Sequence, residues 1–170
     1  FAKNAMMNKM GYNAFDDILK TGNNPLTPEE FEALANHESA LVLDVRTQSD
    51  FIKSHIPNSI FIGLNGQFAP WVGALIKDVK QPILLVADEG KLEEVITRLS
   101  RVGFDNVIGY LEGGFDAWKN AGKEIDAIDS ISASELEKIH EAGEVKIIDV
   151  RKPGEYSAEH IDGARTAPLD

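Results

Sequence analysis

Pro82–Leu92 constrains this chain more than any other stretch. Ile83 to Val86 form a short apolar run, the pattern of a strand buried on both faces, and Pro82 stands at its start, where a missing N–H does no harm. A turn centred on Gly90 follows. Apolar residues then recur at Leu92, Val95, Ile96, Leu99 and Val102, which is helical spacing, and Gly103 supplies a stop. A strand that feeds a helix through a glycine-containing loop gathers backbone N–H groups beyond the strand's carboxyl end, where open α/β sheets place their ligands. Yet Ala87, Asp88, Glu89, Gly90, Lys91 and Leu92 contain no Cys, Ser, His or Arg. The loop has the geometry of an active site without a nucleophile.

The flanking chain alternates strand and helix. Thr27-Pro28-Glu29-Glu30 is a capping box with Pro at the first helical position, opening a helix to about Asn36 that turns Phe31 and Leu34 inward. Strands are expected at Ala40–Val45, Ser59–Ile62 and Asn106–Tyr110, and helices at Ser49–Ser54, Trp71–Ile76 and Phe115–Asn120. Glu112-Gly113-Gly114 reads as a tight turn, and Ala14–Lys20 as a short helix that stops at Thr21-Gly22-Asn23-Asn24. This order implies a mainly parallel sheet with helices on both faces.

The pattern then restarts. Asp149 follows Asp44 by 105 residues, and the same interval relates Arg151 to Arg46, His160 to His55 and Leu169 to Leu64, without a gap. Ser132-Ala133-Ser134-Glu135 repeats the capping box, and Glu155-Tyr156 repeats Asp50-Phe51. A constant offset marks an internal repeat. About 40 residues of the second copy are present, too few to bury a core unaided. They are expected to dock on Leu26–Ile125 or to exchange between chains as a domain-swapped homodimer through residues 126–170.

Asp-Val-Arg, an acidic-aromatic pair and His55-Ile56-Pro57, followed by Gly103-Phe104-Asp105-Asn106-Val107 and Leu111-Glu112-Gly113-Gly114-Phe115-Asp116-Ala117-Trp118, resemble the signatures of rhodanese-like domains. The resemblance covers Leu26–Ile125 as a whole domain and Ile131–Asp170 as an amino-terminal half. It implies a rhodanese-like parallel α/β sheet in tandem, with 1–24 a connector, 25–125 a domain and 126–170 half of another. Rhodanese-like enzymes take up sulfane sulfur on a Cys held by the loop amides. On that pattern the Cys position is Ala87, and the basic residue common at the loop's end is Leu92. A methyl group cannot become a thiolate, and Asp88 and Glu89 repel anionic sulfur donors. The resemblance therefore implies a non-catalytic, structural or substrate-presenting module, with no catalytic residue and no cofactor in this chain. Lys3–Tyr12 resembles the connector that joins a metallo-β-lactamase-fold hydrolase or persulfide-dioxygenase-like module to rhodanese domains in some bacterial proteins. That implies an upstream module as partner, and a chain beginning at Phe1 reads as an excised fragment. Two alternatives stand: a sulfurtransferase whose Cys lies 105 residues beyond Ala87 in a longer second copy, and a regulatory binding module using the 87–92 loop.

Composition narrows the field. A net charge of −11 argues against nucleic acid and anionic membranes as partners, and the absence of cysteine removes disulfides, thiolate metal sites and thiol chemistry. With no membrane-length apolar run and no signal peptide visible, a cytoplasmic setting is expected. Asp44/Arg46 and Asp149/Arg151 are expected as charged pairs tying strand ends to neighbouring helices, and His55 and His160 as packed, hydrogen-bonded histidines. Asp88 and Glu89 are expected as solvated loop residues rather than nucleophiles or a cation site. The histidines lack the spacing of a zinc site, so no metal is expected.

Overall fold

The structure, a computed structural model, describes residues 15–37, 39–143 and 145–169. The resemblance at Lys3–Tyr12 lies outside them. The chain divides into two compact units between Asp129 and Ser130.

In the first unit a five-stranded parallel sheet runs in the order β1-β5-β4-β2-β3. The strands are β1 (Pro25–Leu26), β2 (Leu41–Asp44), β3 (Ile60–Phe61), β4 (Ile83–Val86) and β5 (Val107–Leu111). Strand β4 lies at the centre, pairing with β2 from Leu41↔Ile83 to Asp44↔Val86 and with β5 on its other edge. All four β4 side chains are fully buried. Successive strand residues face opposite ways, so the run feeds two cores. Ile83 and Leu85 pack with Leu43, Val107 and helices α1 (Phe15–Gly22), α4 (Phe68–Leu75) and α5 (Leu92–Ser100). Leu84 and Val86 pack on the other face with Val42, Phe31 of α2 (Pro28–His37), and Phe115 and Trp118 of α6 (Gly114–Asn120). The Phe31 and Trp118 rings pack edge to face with centroids 6.0 Å apart, and the Trp118 indole N–H donates to the Glu124 carbonyl. Each fully buried aliphatic side chain contributes about 1.5–3 kcal/mol of transfer free energy, so the two layers account for the continuous apolar composition of β4.

Three boundaries differ from the sequence reading. The short helix expected at Ala14–Lys20 within a connector forms as α1 over residues 15–22, but it belongs to the first unit, with Ile18 buried in the main core. The first unit also extends beyond residue 125: Asp126 N donates to His55 O, His55 N donates to Asp126 O, and Ile128 N donates to Ile52 O. Helix α4 starts at Phe68 rather than Trp71, because Phe68 is buried with Val72 and carries the inward face. Among the described residues no helix is long and apolar enough to cross a membrane.

The second unit contains α7 (Ala133–Glu141), opened by the capping box of Ser132 and Glu135, then β6 (Ile148–Asp149), α8 (Pro153–Ala158) and β7 (Arg165–Thr166). Strands β6 and β7 pair in parallel, as β2 and β3 do. Among its described hydrophobic residues only Ala164 is buried. The half-copy reproduces the local structure of the first unit and none of its core.

Candidate functional site: a cleft without a cysteine

The cleft lies where three parallel strands end. Beyond β4, Ala87 forms part of its wall, followed by Asp88, Glu89 and Gly90. Gly90 takes φ +74°, the left-handed region that favours glycine, and Lys91 N donates to Asp88 O at 3.1 Å to close the turn into α5. Beyond β5 come Gly113 and Gly114, at φ +73° and +62°. A Cβ on Gly113 would meet that of Ala117 at 3.0 Å, so this turn admits α6 tightly beside the loop. Beyond β2 lies Arg46. The resulting space is a cleft of about 760 Å³, walled on its apolar side by Ala87, Leu92, Tyr110, Leu111 and Phe115.

Arg46 is held in place from several directions. Its Nη2 donates to Asp44 Oδ2 at 2.6 Å and to the Ser54 carbonyl at 2.9 Å, and its Nε to Asp44 Oδ1 at 3.0 Å. The guanidinium lies 4.1 Å from the Phe115 ring centroid. Asp44 is wholly buried and Arg46 is 8% exposed, so the pair neutralises itself. It ties the end of β2 to the end of α3 (Gln48–Lys53), as expected from sequence. His55 is also structural. Its Nδ1 donates to the Phe51 carbonyl at 2.8 Å and its ring stacks on Phe51 at 4.0 Å.

With Arg46 neutralised, Asp50, Asp88, Glu89, Glu112 and Asp116 face the cleft against Lys53 and Lys119. Its electrostatic character is acidic, and anionic donors approach against it. Lys91 does not line the cleft; its Nζ lies 3.3 Å from Glu94 Oε2. Asp88 and Glu89 are exposed, as expected. Among the described residues no group of His, Cys, Asp or Glu is arranged to hold a metal ion.

The fold also brings in Lys53, Tyr110, Glu112 and Lys119, which the sequence reading did not single out as site residues. Their common signal is position: each lies at or just beyond the carboxyl end of a parallel strand or on the helix that follows, the edge where such sheets bind ligands.

The second unit repeats the supporting geometry without the cleft. Arg151 Nη2 donates to Asp149 Oδ2 at 2.6 Å and to the Glu159 carbonyl at 2.8 Å, the same partners 105 residues on. His160 Nδ1 donates to the Tyr156 carbonyl, and the two rings stack at 3.9 Å. Here the arginine is open to solvent, at 48% exposed, while Asp149 is 10% exposed. The Arg151 hydrogen bonds hold the Asp149 carboxyl below the usual carboxylate range.

The family model described as "Rhodanese-like domain" matches residues 27–121 and again 132–169. The chain belongs to this family. It is 35% identical over 89 residues to the uncharacterized protein YibN of Escherichia coli, an alignment covering 52% of this chain and 62% of that protein. It is 28% identical over 95 residues to the thiosulfate sulfurtransferase GlpE of Pseudomonas savastanoi, covering 55% of this chain and 85% of GlpE. Among solved structures, the thiosulfate sulfurtransferase of Pseudomonas aeruginosa superposes with a TM-score of 0.51 at 20% identity, over 91% of this chain and 36% of that one. The chain thus spans about six-tenths of the length of YibN and about a third of the Pseudomonas aeruginosa enzyme. The structural likeness supports the α/β fold, and the second family match supports a second, partial copy over residues 132–169.

Proposed function

We propose that this rhodanese-like chain is a non-catalytic module that gives structural support or presents a substrate within a larger sulfur-metabolising or metallo-β-lactamase-fold hydrolase protein. One observation carries the proposal: at the end of the central strand, where the family resemblance places a sulfur-accepting Cys, stands Ala87, and the chain contains no cysteine. A rhodanese-type sulfur transfer needs a thiolate to attack the sulfane sulfur, and no side chain in the cleft supplies one. The acidic lining acts in the same direction by opposing anionic donors. The resemblance of Lys3–Tyr12 to a connector supports the upstream hydrolase module as partner.

The test is sulfur loading of the chain itself. Incubation with thiosulfate and cyanide should yield no thiocyanate above the uncatalysed rate, and intact mass should show no added sulfur. Turnover would overturn the proposal. Measuring mass and zinc on the natural gene product tests the parent: a heavier, metal-loaded chain is expected.

A second reading is favoured by the second family match at 132–169. In it, sulfur transfer belongs to a longer second copy with a Cys 105 residues beyond Ala87, and the first domain supports it. Sulfur loading of the natural product at that Cys would establish it.

A further inference from the structure

The cleft departs from an anion site in its charges as well as in its missing cysteine. Lys53 Nζ lies 3.8 Å from Asp50 Oδ1, so these two offset each other. Among the described lining residues Asp88, Glu89, Glu112 and Asp116 then face only Lys119. The amino end of α5, which would draw an anion toward the 87–92 loop, carries Glu93 and Glu94 in its first turn. Glu94 in turn engages Lys91 at 3.3 Å and Arg98 at 2.6 Å, which holds both cations away from a ligand.

The cleft also holds a donor that the protein does not use. Arg46 is 8% exposed, and its Nε and Nη2 are taken by Asp44 and the Ser54 carbonyl. Among the described residues nothing accepts from its Nη1. The side-chain polar atom that is sealed without a partner is Asp105 Oδ1, so Nη1 keeps access to the cleft that Arg46 lines. With Asp44 offsetting the charge, this donor suits a neutral carbonyl oxygen. Leu92, Tyr110, Leu111 and Phe115 offer an apolar wall, and about 760 Å³ is the size of a small-molecule site.

We propose that the cleft binds a small organic cation, an ammonium group on an apolar stem that also carries a carbonyl oxygen. The stem lies along the apolar wall, the carbonyl accepts from Arg46 Nη1, and the ammonium group meets the carboxylates of Asp88, Glu89, Glu112 and Asp116. The inference rests on the substrate-presenting reading above and names the class of substrate. No bond forms or breaks in the cleft.

The probes are three benzylamides that differ only at their far end. N-benzyl-3-aminopropanamide is a cation, N-benzylbutanamide is neutral and N-benzylsuccinamate is an anion. Each is titrated against the full chain by calorimetry and by NMR of the arginine guanidinium groups. The cation should bind saturably, one per chain, with Kd about 1 mM for a ligand of this size. At about 7 Å and physiological salt, the excess of carboxylates should favour it over the anion by about tenfold, with the neutral amide between. The Arg46 resonance should shift with bound ligand, since all three carry the carbonyl. A variant with Asp88→Asn, Glu89→Gln, Glu112→Gln and Asp116→Asn leaves Lys119 unopposed and should reverse the order of the three. All four positions are exposed, so the fold is not at stake. Equal affinities for the three probes, an order that the variant leaves unchanged, a still Arg46 resonance, or no saturation by the cation at about 10 mM overturns the proposal. Thiocyanate production is read separately. Failure of amine binding without thiocyanate strikes this inference alone, whereas thiocyanate formation strikes the non-catalytic reading on which it rests.

Discussion

Placing a cysteine in the cleft separates the two obstacles to sulfur chemistry. Ala87→Cys restores a nucleophile at the end of β4, but Asp88 and Glu89 remain beside it, and Leu92 adds no positive charge. A thiosulfate dianion held about 7 Å from one carboxylate is repelled by about 1.2 kcal/mol in water. Physiological salt, with a screening length of about 8 Å, lowers this to about 0.5 kcal/mol. Two carboxylates therefore oppose binding by about 1 kcal/mol, or about fivefold in kcat/KM. The comparison is between Ala87→Cys and the same variant carrying Asp88→Asn and Glu89→Gln, which remove charge at nearly constant shape. Thiocyanate production from thiosulfate and cyanide should be low for the single variant and about fivefold higher for the triple one, a gap that widens at low salt and closes near 1 M salt. Equal rates at low ionic strength, or robust turnover by Ala87→Cys alone, would refute the electrostatic argument.

The duplicated Asp-Val-Arg motif allows a second comparison, because burial differs while hydrogen bonding does not. Arg46→Met leaves the wholly buried Asp44 carboxylate without its partner and should cost about 3–5 kcal/mol, read as a lower midpoint in denaturant unfolding of the first unit. Arg151→Met, at a half-exposed arginine of the second unit, should leave that midpoint unchanged. Gly109→Ala should destabilise by about 1–3 kcal/mol in the same assay, since a Cβ there would meet the Leu26 side chain at 2.6 Å and the Asn24 carbonyl oxygen at 3.0 Å. Asp149 predicts a pH effect. Its carboxyl is lowered first by the Arg151 hydrogen bond, so its contribution is present at neutral pH, above the unfolded-state value, and is lost as pH falls through the lower folded value. Carboxyl NMR should show Asp149 titrating below an ordinary aspartate, and Arg151→Met should return it to the usual range.

Features read correctly from sequence are those set by near neighbours. The Gly90 turn, the helical period from Leu92 to Leu99 and the capping boxes at Thr27 and Ser132 are local, and each appears in place. The Asp44–Arg46 pair was legible because two residues of spacing at a strand end let the carboxylate accept from both backbone and guanidinium of the same arginine. Helix α1 was expected as a short helix, but its place in the core was not legible, for the opposite reason. Ile18 and Leu19 form too short an apolar stripe to announce burial, and only packing against α5 and β5 shows it. Lys53, Tyr110, Glu112 and Lys119 went unnoticed because they come from separate segments that meet only once the strands are in register.

The sequence by itself determined the α/β architecture, the duplication and the lack of a cysteine. Periodicity, a constant interval of 105 residues and the identity of residue 87 are properties of the chain before it folds. The tertiary structure alone decided how the same motif behaves in its two settings. Asp44–Arg46 is buried where β2 is paired on both edges by β3 and β4, whereas Arg151 is 48% exposed where β6 pairs only with β7 among the described residues. Burial is a sum over distant partners, and a local motif carries no information about whether those partners are present.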